Sequence, residues 1–187
     1  WRDRWGVPDL RIFASVGSTN DVARALAEAG APTGTVVLAD EQTRGRGRRG
    51  RVWASAPGRS LLASFVLRPA GPGTGVLPLR IGLAAARAIA AETGVVAGIK
   101  WPNDLVVDAR KLGGVLCEGV SEGGRTAFVI AGIGLNVLQS DDEFPADLHG
   151  SATSIATAAG RPVSMTVLAG RLVTEVSIAA ARDAETL

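Results

Sequence analysis

The sequence predicts an α/β (α+β) domain in which helices pack on a mixed β-sheet. Three observations carry that expectation. Apolar residues make up 47% of 187 positions, enough for a sizeable core and about one domain. Short apolar, β-branched runs lie on both sides of a central alanine-rich segment of helical period. Some of those runs are separated by a short polar turn and others by whole helices, so hairpins mix with longer connections.

In chain order, "GSTNDVARALAEAG" (17–30) reads as a helix. Ser18 or Thr19 is placed to cap it, Asp21 resembles the acid of a capping box, and Gly30 ends it. "TGTVVLAD" (33–40) reads as a strand. An arginine–glycine loop follows, then a continuous apolar strand, "SLLASFVLRP" (60–69), stopped by Pro69. "GPGTG" (71–75) is a turn, and "LPLRIGLAAARAIAAETG" (77–94) is a helix ending in glycine. A hairpin is expected from strand 98–107, turn "DARK" (108–111) and strand 112–120. Then come a buried strand (126–137) and two helices (151–160 and 164–187). The last helix meets no Gly, Asn or Pro stop, so the chain reads as cut.

Composition narrows the function classes. The net charge is only +2, so the basic character is local and suits a site more than a coat of nucleic acid. Cys117 is the single cysteine, which forbids an internal disulfide and fits a reducing cytoplasm. Its apolar run, "GGVLCEG", makes it a small core residue. No apolar run approaches the ~20 residues of a membrane span, and the N-terminus is not a signal peptide, so the reading is a soluble, cytoplasmic protein. Eighteen of the twenty basic residues are arginine. The two lysines, Lys100 and Lys111, both fall in "KWPNDLVVDARK", where a compact ammonium is the property that arginine cannot supply.

The stretch "EQTRGRGRRGRVW" (41–53) concentrates five arginines among three glycines. Its "GRGRRG" has the letters of a dinucleotide fingerprint, but Pro57 and a strand follow instead of a helix. No acid stands about 20 residues on. As a P-loop it has Arg51 and Val52 where lysine and Ser/Thr are required. A single-strand nucleic-acid binder would interleave aromatic platforms, and only Trp53 is near.

Taken together, "GSTN" (17–20), "EQTRGRGRRGRVW" (41–53), "KWPNDLVV" (100–107), "RKLGGVLCEG" (110–119) and "AGIGLNV" (131–137) resemble biotin protein ligase in order and spacing. The resemblance covers roughly residues 15–140 and implies a catalytic core related to class II aminoacyl-tRNA synthetases. It implies activation of biotin by ATP to biotinyl-5′-AMP, then transfer to the lysine of a biotin carboxyl carrier domain of a biotin-dependent carboxylase. Biotin and ATP are then substrates and magnesium the accompanying ion; the sequence displays no ligand set for it, and no tightly bound prosthetic group is expected. The alternatives are a lipoate or other acyl ligase on the same scaffold, and an arginine-loop nucleic-acid binder.

Carried over from that resemblance, Ser18, Thr19, Asn20 and Gln42 face the ureido ring, although Ser18–Asn20 also suit a plain helix cap. Arg46, Gly47 and Arg48 wrap the biotin tail and phosphate, Arg48 by its side chain and Arg46 largely through its backbone N–H. Lys111 contacts the biotin carboxylate and the α-phosphate. Trp53 stacks on adenine, or else is a core or edge-strand tryptophan. Asn103 and Asn136 bind the adenylate. Asp104 aligns or deprotonates the incoming lysine, or merely orients neighbouring cations, while Lys100 is structural. Arg44 departs from the family, where a small residue is usual. The resemblance also implies no DNA partner, because only 17 residues precede "STN" and leave no room for a helix-turn-helix. The SH3-like domain that usually follows is taken as missing. A homodimer through an exposed edge strand is left open.

Overall fold

Residues 60–67, "SLLASFVL", carry nothing larger than a hydroxyl as a polar group and form strand β3 (Ser60–Leu67), buried at every position. In the computed structural model, which describes residues 1–68 and 74–181, this strand lies in the middle of the sheet. Around it, in chain order, are α1 (Arg2–Trp5), β1 (Leu10–Val16), α2 (Thr19–Glu28), β2 (Val36–Gln42), α3 (Leu77–Thr93), β4 (Gly98–Lys100), β5 (Asp104–Val107), β6 (Arg110–Glu122), β7 (Arg125–Asn136), α4 (Ile155–Ala159) and α5 (Met165–Ala181). The seven strands form one mixed sheet in the order β1-β2-β3-β7-β6-β5-β4. Only β1 and β2 pair in parallel.

Alternation along the strands sorts the residues onto two faces. Leu61, Ala63, Phe65 and Leu67 of β3 and Val129, Ala131, Ile133 and Leu135 of β7 join Ile81, Ala85 and Ile89 of α3 and Leu168, Leu172 and Val176 of α5 in the main core. The opposite face is only partly covered. There Val37, Val66, Phe128 and Ile130 pack under Ala23 and Ala27 of α2. Beyond the N-terminus of α2 the same face of β7 continues as Gly132, Gly134 and Asn136. The sheet thus passes from a helix-covered apolar half to a bare half without side-chain bulk.

Several elements differ from the sequence expectation. Strand β1 was not anticipated: it is an edge strand whose burial pattern lacks clean alternation, and Ile12 is exposed. Strand 33–40 begins and ends later, at Val36 and Gln42. Helix α2 ends at Glu28, with Ala29 as its C-cap, and Gly30 takes a φ of 90° just beyond. The strand expected over 98–107 is two strands. Gly98 pairs with Val106 and Lys100 with Asp104, so "WPN" (101–103) forms the turn between them. The turn after β5 is shorter than "DARK": Asp108 and Ala109 carry positive φ, and Lys111 already lies in β6. Residues 151–160 are helical only from Ile155, because the Lys111 N–H donates to Ser151 and the Thr153 N–H to Lys111 (2.7 and 2.9 Å), which holds 151–153 extended. Pro69, residues 71–73 of the expected turn and residues 182–187 of the expected last helix lie outside the described residues.

Candidate active site

A cleft of about 390 Å³ opens over the bare half of the sheet. Ser18, Thr19, Asn20, Gln42, Arg46, Gly47, Arg48, Trp53, Asn103, Asp104, Lys111 and Asn136, all twelve of the residues singled out in the sequence, line it. They come from the start of α2, the end of β2, the loop 43–59, the β4–β5 turn and the facing ends of β6 and β7.

One end is set by α2. Ser18 is its N-cap, but the hydroxyl makes no capping bond, so the capping box expected with Asp21 does not form. Thr19 instead ties the helix start to β2: its N–H and hydroxyl both donate to Gln42 Oε1, at 2.8 and 3.0 Å. Asn20 is 4% exposed. Its Nδ2 donates to Glu118 Oε2 at 2.6 Å, and its Oδ1 accepts from the Ser64 hydroxyl at 2.6 Å.

The arginine loop folds over this end as a small hairpin. The Gly47 N–H donates to Arg51 and the Trp53 N–H to Gly45 (2.7 and 3.0 Å), while Arg49 bends the tip with a φ of 57°. A side chain at Gly45 would collide with the Trp53 carbonyl, 2.6 Å from where its Cβ would sit, so this turn requires glycine. Arg46 forms a two-pronged pair with Asp21 (2.9 and 2.6 Å) and lies 3.6 Å from Glu118, so its guanidinium is engaged with carboxylates in addition to any backbone role. The hydrogen bond from Arg46 is the main cause that lowers the Asp21 pKa, against a smaller opposing effect of burial. Arg48 donates to Asn103 Oδ1 at 3.2 Å, and Asn103 Nδ2 donates to the Val115 carbonyl at 3.0 Å. Arg44, the departure from the family pattern, sits above Gly17 and binds its carbonyl through its own N–H at 2.8 Å.

At the centre, Lys111 Nζ lies 2.8 Å from Asp104 Oδ1. Lys100 is exposed and also lines the cleft. At the far end Asn136 Nδ2 donates to the Thr153 carbonyl at 3.2 Å. The Trp53 ring lies against Gly134, where a Cβ would come within 2.8 Å of the indole, and its buried Nε1 has no hydrogen-bond partner among the described residues. A Cβ at Gly132 would run into the Asn20 amide. Phe144 and Leu148 close this end.

Ser64, Glu118, Gly132 and Gly134 were not singled out in the sequence, and Asp21 was read only as a capping acid. The glycine pair was findable: residues two apart in a strand share a face, and paired glycines there mark a close approach. Ser64 and Glu118 gave no local signal, and the signal of Asp21 pointed to a helix cap and not to Arg46. Cys117 is only partly buried at the side of β6, and burial, with the Glu118 charge adding, pushes its thiol up to about 12. The described residues contain no group of three or more His, Cys, Asp or Glu able to hold a metal ion. No described helix is long and apolar enough to cross a membrane.

A sequence model of the biotin/lipoate A/B protein ligase family matches residues 12–136, which span both ends of this cleft. The chain belongs to that family. Among its relatives, the bifunctional ligase/repressor BirA of Bacillus spizizenii is 43% identical over 150 residues, 79% of this chain and 46% of that protein. The biotin–[acetyl-CoA-carboxylase] ligase of Mycobacterium tuberculosis is 35% identical over 182 residues, 91% of this chain and 64% of the relative. This member of the family therefore spans about half to two thirds of the length of these relatives. The biotin protein ligase of Aquifex aeolicus in complex with biotin and ATP superposes with a TM-score of 0.82 at 32% identity, covering 96% of this chain and 73% of that one. The Leishmania major biotin protein ligase in complex with biotinyl-5-AMP gives 0.72 at 31%, covering 93% and 76%. These relatives agree with the mixed α/β fold described above.

Proposed function

We propose that the chain activates biotin with ATP to biotinyl-5′-AMP, releasing pyrophosphate, and passes the biotinyl group to a lysine of a biotin carboxyl carrier domain. The observation that carries this reading is the order of groups along one cleft. A polar head end (Ser18, Thr19, Asn20, Gln42) leads to a cationic middle (Arg46, Arg48, Lys111) and then to an aromatic and amide end (Trp53, Asn136). That order matches a ureido ring, a carboxylate meeting an α-phosphate, and an adenine. The named complexes of the Aquifex and Leishmania proteins with biotin, ATP and biotinyl-5-AMP support it.

In the first step the biotin carboxylate attacks the α-phosphorus, and pyrophosphate leaves. Bringing two anions together at low dielectric costs several kcal/mol unless fixed cations compensate. Lys111 and Arg48 serve there, Lys111 as a compact charge and Arg48 as a fork. In the second step the neutral amine of the carrier lysine attacks the acyl carbonyl, AMP leaves, and the amine proton passes to a base. Asp104 is the only carboxylate among the described residues lining the cleft, so it takes this role, with Lys111 holding it in place. The intermediate is an acyl phosphate anhydride prone to hydrolysis, and the loop over it excludes water. Magnesium enters with the ATP phosphates. The described residues do not fit a protein-built site for it.

The polar head end favours biotin over lipoate, whose dithiolane ring offers no N–H to Asn20 and no carbonyl oxygen to the Gln42 amide N–H. Arg46, Arg48 and Arg51 line the cleft, which favours a phosphate-bearing small ligand over a nucleic-acid track. The test is incubation with biotin and magnesium ATP, followed by mass spectrometry of the bound product and a pyrophosphate assay. Protein-bound biotinyl-5′-AMP is expected; no adenylate together with no biotin binding would sink the reading.

A further inference from the structure

The head end contains two primary amides, Gln42 and Asn20, and an amide can present its oxygen or its nitrogen to a ligand by turning over. What prevents that differs between the two. Gln42 Oε1 receives the Thr19 backbone N–H at 2.8 Å, and a backbone N–H can only donate, so this amide is fixed. Asn20 has no such backbone partner. Ser64, fully buried beside it, cannot decide the matter, because a hydroxyl both donates and accepts. Glu118 can. Its carboxylate accepts only, stands 2.6 Å from Asn20 Nδ2, and would repel the amide oxygen if Asn20 turned over. The same Oε2 lies 3.6 Å from Arg46, the loop arginine paired with Asp21. Glu118 therefore touches both a wall residue and the loop, yet it is not part of the cleft lining.

We propose that Glu118 is a positioning residue that fixes the donor and acceptor order of the head pocket through Asn20, making the pocket selective for a cyclic urea. With Ser64 on Oδ1 and Glu118 on Nδ2, one lone pair and one N–H of Asn20 remain for a ligand in a set order. A cyclic urea, one acceptor flanked by two donors, needs such an order; a wall amide free to turn would recognise it poorly. The inference rests on the biotin reading above and deepens it. The position of Glu118 between Leu116 of the cleft and Val120 of the α2-covered core explains how a residue of β6 reaches Asn20 of α2.

The experiment is isothermal titration of the 187-residue chain with biotin and with 2-thiobiotin, a neutral analogue whose sulfur is a weaker acceptor than the urea oxygen. Wild type, Glu118→Gln and Ser64→Ala are compared, each with its unfolding midpoint. Glu118→Gln keeps the shape of the side chain but can donate as well as accept, so Asn20 is free to turn. Its Kd for biotin is expected to rise about tenfold, and its preference for biotin over 2-thiobiotin to shrink at least about threefold. Ser64→Ala is expected to weaken biotin while keeping that preference, because Glu118 still sets the amide. A Glu118→Gln chain whose biotin Kd is unchanged overturns the inference, as does one that loses affinity with the preference intact, which is the mark of a merely structural role. A wild-type chain that binds no biotin overturns the biotin reading and this inference together, whereas normal wild-type binding with an indifferent Glu118→Gln removes this inference alone.

Discussion

The floor and the roof of the cleft are held by different forces. The floor is β6 and β7, paired at every position from Gly113 to Glu122, with β7 paired in turn along the whole of β3. Among the described residues the roof, 44–53, is held by one backbone bond from Arg44 to Gly17, by the side chains of Arg46 to Asp21 and Glu118 and of Arg48 to Asn103, and by the Trp53 ring lying against Gly134. A backbone ladder buried in a sheet keeps its geometry whatever the ligand. Half-exposed charge pairs are worth ~1 kcal/mol or less each and can be exchanged for a ligand's own charges. For the proposed ligand, the floor is thus expected to decide where atoms sit and the roof how long they stay.

The sharpest way to break this contrast is to put a side chain on the floor. Gly134→Val sets branched carbon where Trp53 now lies, and Gly132→Val sets it on Asn20. Each is expected to abolish adenylate formation within about a hundredfold detection window and to destabilise by about 1–3 kcal/mol from overpacking, read by pyrophosphate release and chemical unfolding. Full activity in either variant would show that the glycine floor does not set ligand position.

Roof variants should separate function from stability. Arg48→Ala removes the cation proposed to meet the phosphate, and adenylate retention is expected to fall about a hundredfold with stability altered by no more than about 0.5 kcal/mol. Unchanged release and hydrolysis rates would remove Arg48 from its role. Asp21→Asn loosens the Arg46 pair and should speed biotin release by about threefold or less in stopped-flow measurements, in keeping with a half-exposed ion pair.

The Asp21 pair also sets a pH effect of defined sign. The folded pKa is lowered, so the contribution is fully present above the ordinary value of 3.8 and is lost as pH falls from there through the folded value. Loop proteolysis should therefore rise below about pH 4 in the wild type more than in Asp21→Asn. A steeper rise in the variant would contradict the pairing. The smallest effect expected is at Cys117: with its thiol pushed up to about 12, alkylation by iodoacetamide at pH 8 should be negligible in the folded chain and rapid in urea.

How much of this was legible beforehand depended on the range of the interactions. Continuous apolar runs and helical period announced β3, α3 and β7, because burial on both faces or along one stripe is written into adjacent residues. That the twelve candidate residues would share one cleft was legible through the spacing of their motifs. The "WPN" turn was not, since an apolar run with one proline reads as a single strand until the pairing of Lys100 with Asp104 is seen. Residues 151–153 read as helix because local propensity could not register the backbone bonds they make to Lys111.

The sequence by itself determined which chemistry is present: arginines on a glycine loop, two lysines, Trp53 beside that loop and a set of amides in family order. Tertiary structure alone decided how that chemistry is aimed. Asn20 meets Ser64 and Glu118 across 44 and 98 residues, and Arg46 finds Asp21 across 25. A hydrogen bond is directional and works over about 3 Å, so which amide atom faces a ligand follows from chain segments brought together only when the sheet closes.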